Sequence, residues 1–442
     1  MQPKRHILAL CLLFLFSLTG CAVSGATSPP ETENNATVCN EPTTKEPPTT
    51  QTHFVQTEQT LPSVTMPEST VDPSTLWTPI CEEFIYLRST PGGEPITKIS
   101  VGENVVLKDW CGKYALVTYD GQQGYVQSNY IKPAEPDYLA NSLQVVTPTN
   151  RYSYEQMLAD ISDLQRLYPD AVRTASIGMS ELRRNIPVIQ VGAPDAKFHV
   201  LMQGAIHGRE HFTAWLLMAL ADYSLSQGYF ENGAVCYHII PMSNPDGVVI
   251  SQTGMLNSLQ TGIYENDFAA GYTSSNAANY ATQWKANALG IDLNRNFSAG
   301  WEASLERPEP SSEKHRGAMA FSAAESCALR DYTLQYDFDA TVSVHSHGSV
   351  IYYQYGNRQP VNTLSYSLAC AAREVTGYDI ITYDGTSGAG YKDWAMDVLG
   401  IPSLTLEIGC YETPLATRDI YNTFVRCQEL LPAIDKWLQE NT

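Results

Sequence analysis

The stretch that decides the fold runs His199-Val200-Leu201-Met202-Gln203-Gly204-Ala205-Ile206-His207-Gly208-Arg209-Glu210-His211. Its apolar first half has the texture of a buried strand. Beyond it, Phe212, Trp215, Leu216, Ala219, Leu220 and Tyr223 recur at the spacing of a buried helix face, so a helix over 210–226 is expected. Two imidazoles and a carboxylate thus fall where a strand gives way to a helix, the edge at which open α/β sheets place their ligands. A His and a Glu three apart in a tight turn can point at one cation, and neutral imidazole with carboxylate suits zinc.

Working outward, β-like and α-like segments alternate from about residue 151 to the end. Strands are expected at 186–191, 199–204, 235–241, 340–344 and 403–408, and helices at 152–168, 323–335, 361–376 and 419–438. Alternation with doubly buried strands predicts an α/β fold, a mixed, mostly parallel sheet flanked by helices, over 151–442. Ahead of it, 79–133 carries short alternating strands with turns at Pro91-Gly92-Gly93, Cys111-Gly112-Lys113 and Asp120-Gly121, enough for a small all-β barrel. Cys81 and Cys111 within it are a candidate disulfide. Residues 134–150 read as a connector. Five cysteines follow, Cys236, Cys327, Cys370, Cys410 and Cys427, an odd number that leaves at least one without a partner in that domain.

The start of the chain points out of the cytoplasm. Lys4 and Arg5 precede an apolar run from Ile7 to Leu18, too short for a comfortable membrane span. It ends Leu18-Thr19-Gly20-Cys21, which resembles a bacterial lipoprotein signal; the resemblance implies a lipid anchor at Cys21 and a protein held at the outer surface of a bacterial membrane. Residues 22–78, rich in Thr, Pro, Ser and Glu, cannot bury enough apolar surface to fold and read as a disordered tether. A net charge of -20, from 27 Lys and Arg against 47 Asp and Glu, argues against a nucleic-acid partner, which would need basic patches.

Four more pieces can join the opening stretch. Asn244-Pro245-Asp246-Gly247 forms a turn after the 235–241 strand. Ile291-Asp292-Leu293-Asn294-Arg295-Asn296-Phe297 threads polar side chains between apolar ones. His345 ends the strand at 340–344, and Glu407 stands inside the apolar run Leu404-Thr405-Leu406-Glu407-Ile408, where an unpaired charge is costly. A strand-end His is commonly a hydrogen-bonded core residue and a buried Glu commonly pairs with an Arg. The joint occurrence of all of them is hard to explain as independent packing accidents.

His207-x-x-Glu210, Asn294-Arg295, His345-Ser346 and Glu407 together closely resemble the zinc carboxypeptidases of the carboxypeptidase A type, over roughly residues 150–440. The resemblance implies one Zn2+ held by His207, Glu210 and His345, with Glu407 as general base. It implies that Arg209 helps hold substrate and that Asn294 and Arg295 grip a substrate carboxylate. Lys285, in Trp284-Lys285-Ala286-Asn287, takes the place of an arginine that polarises the scissile carbonyl. Tyr383 matches the mobile substrate-capping tyrosine, and Lys392 stands at the specificity position before Asp393-Trp394. If Lys392 lines the pocket it favours an acidic substrate group; if it points to solvent it says nothing.

The Trp-Lys-Ala-Asn stretch before Ile-Asp-Leu-Asn-Arg-Asn-Phe looks like the bacterial branch that cleaves γ-D-glutamyl to diaminopimelate bonds in wall peptides. Tyr86-Leu87-Arg88, Tyr119-Asp120-Gly121, Gly124-Tyr125-Val126 and Ser128-Asn129-Tyr130-Ile131 resemble the bacterial SH3-type domain, which implies binding to peptidoglycan. The expectation is a surface-anchored peptidase acting on peptidoglycan stem peptides. Residues 22–150 do not resemble the family's inhibitory pro-domain, which points to activity without processing. Three alternatives stay open: a general secreted metallocarboxypeptidase, a non-catalytic wall-binding protein, and an inverted zinc motif in which His207 and His211 are the ligands and Glu210 the base.

Overall fold

The computed structural model describes residues 76–441 except 136, 383, 384, 386 and 387. The export signal, Cys21, nearly all of the expected tether and Tyr383 lie outside the described residues. Among the described residues no helix is long and apolar enough to cross a membrane.

The first seven strands are β1 (Leu76–Pro79), β2 (Phe84–Arg88), β3 (Pro95–Ser100), β4 (Val105–Cys111), β5 (Tyr114–Tyr119), β6 (Gln122–Gln127) and β7 (Ile131–Pro133). Short turns join most of them, so neighbours pair antiparallel, in the order β3-β2-β6-β5-β4-β1-β7. Alternate residues point inward and meet in one core of Trp77, Leu87, Ile99, Val105, Val117, Val126 and Ile131. Two expectations change here. The tether does not run to Thr78, because Trp77 is 1% exposed and anchors this core. Cys81 and Cys111 are both free thiols. Register is the reason: Leu76 lies opposite Val106 and Trp77 opposite Val105, so β1 runs toward Cys81 while β4 runs the other way toward Cys111.

The expected connector is part of the larger core. Leu139, Leu143 and Val146 are buried in it, and Trp215 Nε1 donates to the Thr147 carbonyl at 2.9 Å. Buried Asp222 accepts the backbone N–H groups of Gln144, Val145 and Val146 at 3.0, 2.8 and 2.8 Å.

The second sheet contains β8 (Val172–Met179), β9 (Asn185–Val191), β10 (Phe198–Gln203), β11 (Val235–Ile240), β12 (Ala340–Ser346), β13 (Val350–Tyr352), β14 (Asp379–Ile381) and β15 (Ser403–Ile408). Its order is β14-β13-β15-β12-β10-β11-β9-β8. The centre, β15-β12-β10-β11, is parallel, while β13 on one side and β9 and β8 on the other run antiparallel to their inner neighbours. The mixed sheet is as expected, with parallel pairing concentrated at the centre. β11 and β12 are buried at every position, which is why they read as unbroken apolar runs. Along β10, Val200 and Met202 face one core and Leu201 the other, so helices are needed on both faces.

The helix Phe212–Ser226 is apolar around nearly its whole circumference and is buried on all sides rather than on one stripe. The helix expected at 419–438 is two, Asp419–Cys427 and Leu430–Asn441. Pro432 explains the break: it lacks an N–H to give and fits only the first turn of a new helix.

The small β unit packs on the α/β part. Gly112 N–H donates to the Gly377 carbonyl at 3.0 Å. Fully buried Arg426 donates from Nε to the Thr376 carbonyl at 2.6 Å, and its guanidinium lies 5.1 Å from the Trp110 ring and 4.3 Å from the Tyr378 ring. Gly377 has φ +61°, and a Cβ there would fall 2.3 Å from Trp110 Cβ, so a side chain at this seam is excluded.

Candidate active site

Chain direction in the sheet places the site. His207 follows the end of β10, His345 lies near the end of β12, and Glu407 on β15 is the register partner of His345. Carboxyl ends of three parallel strands therefore converge on one spot.

The loop bearing His207 is held by backbone bonds to a distant segment. Gly208 N–H donates to the Lys285 carbonyl at 3.0 Å and Arg209 N–H to the Trp284 carbonyl at 2.8 Å. Asn244 locks the same joint: its Nδ2 reaches the carbonyls of Ile206, Lys285 and Ala286 at 3.1, 3.2 and 2.9 Å. Backbones approach so closely that a Cβ on Gly208 would sit 2.3 Å from the Gly247 carbonyl oxygen. A single 3-10 turn, Gly208–Glu210, then brings Glu210 back toward His207, and the α-helix begins only at Phe212.

His207 Nδ1 lies 2.8 Å from Glu210 Oε1, and His345 Nδ1 lies 3.1 Å from Glu210 Oε2. The two imidazole rings are 4.9 Å apart. All three side chains are buried, and one ligand atom from each falls within 4.8 Å of the others. Burial opposes charge on His207, but Glu210 and Asp292 outweigh it and raise its pKa. Burial likewise opposes charge on Glu210, yet His207 and His345 hold its carboxyl well below the usual range. For His345 burial prevails, with help from the charges of His207 and Lys285, so the ring is biased to its neutral, ligating form.

These donors fit a zinc ion. Two nitrogens and a carboxylate converge, and the second nitrogen of His207, Nε2, lies 3.2 Å from Asp292 Oδ1, the outer carboxylate that fixes tautomer and orientation in metal-bound histidines. Asp292 is fixed in turn, accepting from Asn294 N–H at 3.1 Å and Lys314 N–H at 2.8 Å. His211 is not in this cluster; it precedes the first residue of the following helix without a side-chain capping bond, and burial together with Arg151 holds its pKa down to about 4. The inverted motif is thereby set aside, because its helix across 207–211 is absent.

Around the cluster the remaining residues take different positions. Glu407 sits beside His345; burial, then the charge of Glu210, push its pKa up to about 8, against the pull of Lys285, His207 and Arg209. Lys285 Nζ is 3.7 Å from Glu210 Oε1. Arg209 is half-buried and donates to Gln283 Oε1 at 3.1 Å. Arg295 is engaged by Glu306, Nε to Oε2 at 3.2 Å, and by the Asn294 carbonyl at 3.1 Å. Asn294 Oδ1 accepts the Tyr391 N–H at 3.2 Å, so its amide also braces the segment before Lys392. Of the two sequence expectations for Lys392, the solvent-pointing one is corrected, because the side chain is buried against Asp393 and the Gln354 carbonyl. It is 8% exposed, and its ammonium donates to Asp393 Oδ1 at 2.5 Å and the Gln354 carbonyl at 2.9 Å.

Three residues that brace this region escape a reading by motif: Asp292, Asn244 and Asn296. Asn296 knits the site's floor, its amide bonding the carbonyls of Arg316 and Met319 and the Ser322 hydroxyl. The interleaved polar residues of 291–297 were the available signal for two of them.

Comparison with known proteins agrees with this geometry. A zinc carboxypeptidase family model matches residues 157–436. The chain is 31% identical over 288 residues to gamma-D-glutamyl-L-diamino acid endopeptidase 1 of Lysinibacillus sphaericus, covering 62% of this chain and 69% of that protein. It is 26% identical over 297 residues to bovine carboxypeptidase B, covering 60% and 64%. Among solved structures, bovine thrombin-activatable fibrinolysis inhibitor in complex with tick carboxypeptidase inhibitor superposes with a TM-score of 0.52 at 20% identity, over 66% of this chain and 98% of that one. A matched family model over more than half the chain, with a His-Glu-His group that can hold a metal assembled beyond the ends of β10 and β12, places this protein in the zinc carboxypeptidase family, as a zinc metallopeptidase.

Proposed function

We propose that this metallopeptidase hydrolyses γ-D-glutamyl bonds to a diamino acid in cell-wall peptides at the outer surface of the cell. One observation carries the reading: the His207-Glu210-His345 cluster, with Glu407 beside it, is bordered by Lys285 and Arg209 in a chain 31% identical to a protein named for that bond. Cations at the rim suit a substrate rich in free carboxylates.

His207, Glu210 and His345 would hold the zinc ion, which would supply Lewis acidity toward the amide carbonyl and toward water. Glu407 takes a proton from the water whose oxygen joins the carbonyl carbon, then passes it to the amine nitrogen as the C–N bond breaks. A carboxyl whose pKa burial raises is suited to carrying that proton, with Lys285, His207 and Arg209 favouring its ionised form. Lys285 and Arg209 oppose the negative charge that builds on the carbonyl oxygen. Asn294 and Arg295 orient a substrate carboxylate in competition with Glu306. Tyr383 caps the bound substrate.

Export through the 1–21 signal, a lipid anchor at Cys21 and wall recognition by the SH3-like unit belong to the same proposal. They rest on the residues of the signal and of strands β2, β5 and β6. Replacing Cys21 by Ser is expected to move the protein from the membrane fraction to the medium; retention in the membrane fraction would remove the anchor.

A second reading, release of C-terminal residues from ordinary peptides, draws on the Asn294-Arg295 pair next to Asp292. Isomeric peptides separate the two. Linking D-glutamate through its γ rather than its α carboxyl is expected to raise kcat/KM at least about tenfold, the effect of about 1.4 kcal/mol of transition-state binding. Equal rates on both, with steady release of the last residue, would favour the carboxypeptidase.

A further inference from the structure

A second set of ligating side chains converges at the other end of the parallel strands. His199 stands near the start of β10, and Cys236 and His238 stand on β11, with His199 opposite Cys236 in register and Leu201 opposite His238. Period-two geometry puts Cys236 and His238 on one face. His199 Nδ1 lies 3.0 Å from His238 Nε2, and the Cys236 sulfur completes a group whose ligand atoms lie within 4.8 Å of one another. Cys236 and His238 are 0% and 1% exposed, whereas His199 is half-buried and leaves a way in.

We propose that His199, Cys236 and His238 bind a second divalent ion of the zinc class, distinct from the catalytic one, that clamps β10 to β11. Donor chemistry is the first support: two imidazoles and a thiolate are borderline-to-soft ligands that select zinc over magnesium or calcium. Spacing is the second. Zinc–nitrogen bonds of about 2.0–2.1 Å at tetrahedral angles hold two nitrogens roughly 3.3 Å apart, close to the distance between these rings. An outer shell is the third: the Tyr332 hydroxyl, which accepts from Gln190 Nε2 at 3.2 Å, lies 2.7 Å from His238 Nδ1, and in the tautomer in which Nδ1–H donates to it Nε2 presents its lone pair toward the ion. Asp339, whose carboxylate accepts the His199 backbone N–H at 2.8 Å, adds negative charge nearby.

Arg173 sets the strength. Burial pushes the Cys236 thiol up to about 11; Arg173, its Nη2 3.6 Å from the sulfur, offsets that only in part and repels a dication. The catalytic cluster has Glu210 and Asp292 and no sulfur. The second ion is therefore held more weakly and leaves first on chelation.

Cobalt distinguishes the sites, because only a sulfur ligand gives a near-ultraviolet thiolate-to-cobalt charge-transfer band. Titrating the metal-stripped full chain with Co2+ is expected to bind two ions, with the band growing in alongside the second. Cys236→Ser should abolish the band and leave one ion bound. His199→Gln, at a half-buried position the fold tolerates, should weaken the second ion by about tenfold or more. Saturation at one ion, or a band that survives Cys236→Ser, would overturn the proposal and leave a hydrogen-bonded His199-His238-Tyr332 chain in its place. Neither result depends on which peptide the catalytic site cleaves.

Discussion

Asp292 never enters the ligand set, yet it aims the ring of His207 and is held by two backbone N–H groups. Asp292→Asn is expected to weaken zinc binding about 10- to 100-fold, read by competition with a chelator, while excess zinc restores most of kcat. Unchanged affinity would remove its role. Glu407→Gln should leave zinc content intact and lower kcat by about 10²–10⁴, the usual worth of a proton-transferring group. His207, Glu210, His345 and Glu407 were legible in the sequence because ligating or charged types at the ends of apolar strands are conspicuous. Asp292 and Asn244 were not, because short polar residues in turns look like turn formers. Lys392 was legible as a position, but its burial and its pairing with Asp393 were not.

Among elements, the central strands and the helix after His207 follow from apolar runs that water cannot satisfy. β8, β13 and β14 escaped notice: β13 and β14 have three residues each, and β8 is a mostly part-exposed edge strand with little apolar signal. The joint at Gly208 leaves no room for a side chain at that position. Gly208→Ala should lower Tm sharply or abolish folding, since the new methyl meets the Gly247 backbone and not a movable side chain; a stable, fully active variant would contradict the geometry. The segment 144–146 is fixed by a single carboxylate. Asp222→Ala strips three N–H groups of their acceptor and should cost about 1–3 kcal/mol, with faster proteolysis around residues 137–150. Unchanged Tm and unchanged cleavage would show that water replaces the carboxylate.

For the molecule as a whole, the sequence showed two folded parts but not how closely they meet. Composition announces a β unit and an α/β unit; the seam depends on Gly112, Gly377 and one buried arginine whose partners lie about 50 and 300 residues away. Arg426→Ala removes the stacking on Trp110 and Tyr378 along with its hydrogen bonds, and a loss of roughly 2–3 kcal/mol is expected in denaturant unfolding. The proposed reaction is the opening of a wall-peptide bond at the His207-Glu210-His345 site with Glu407 beside it. Digestion of defined muropeptides by the zinc-loaded full chain, read by mass, addresses it directly. The expected products are a fragment ending in the D-glutamyl residue and one beginning with the diamino acid, both absent with Glu407→Gln. Intact muropeptides, alongside release of C-terminal residues from ordinary peptides, would rule out the wall-peptide reaction.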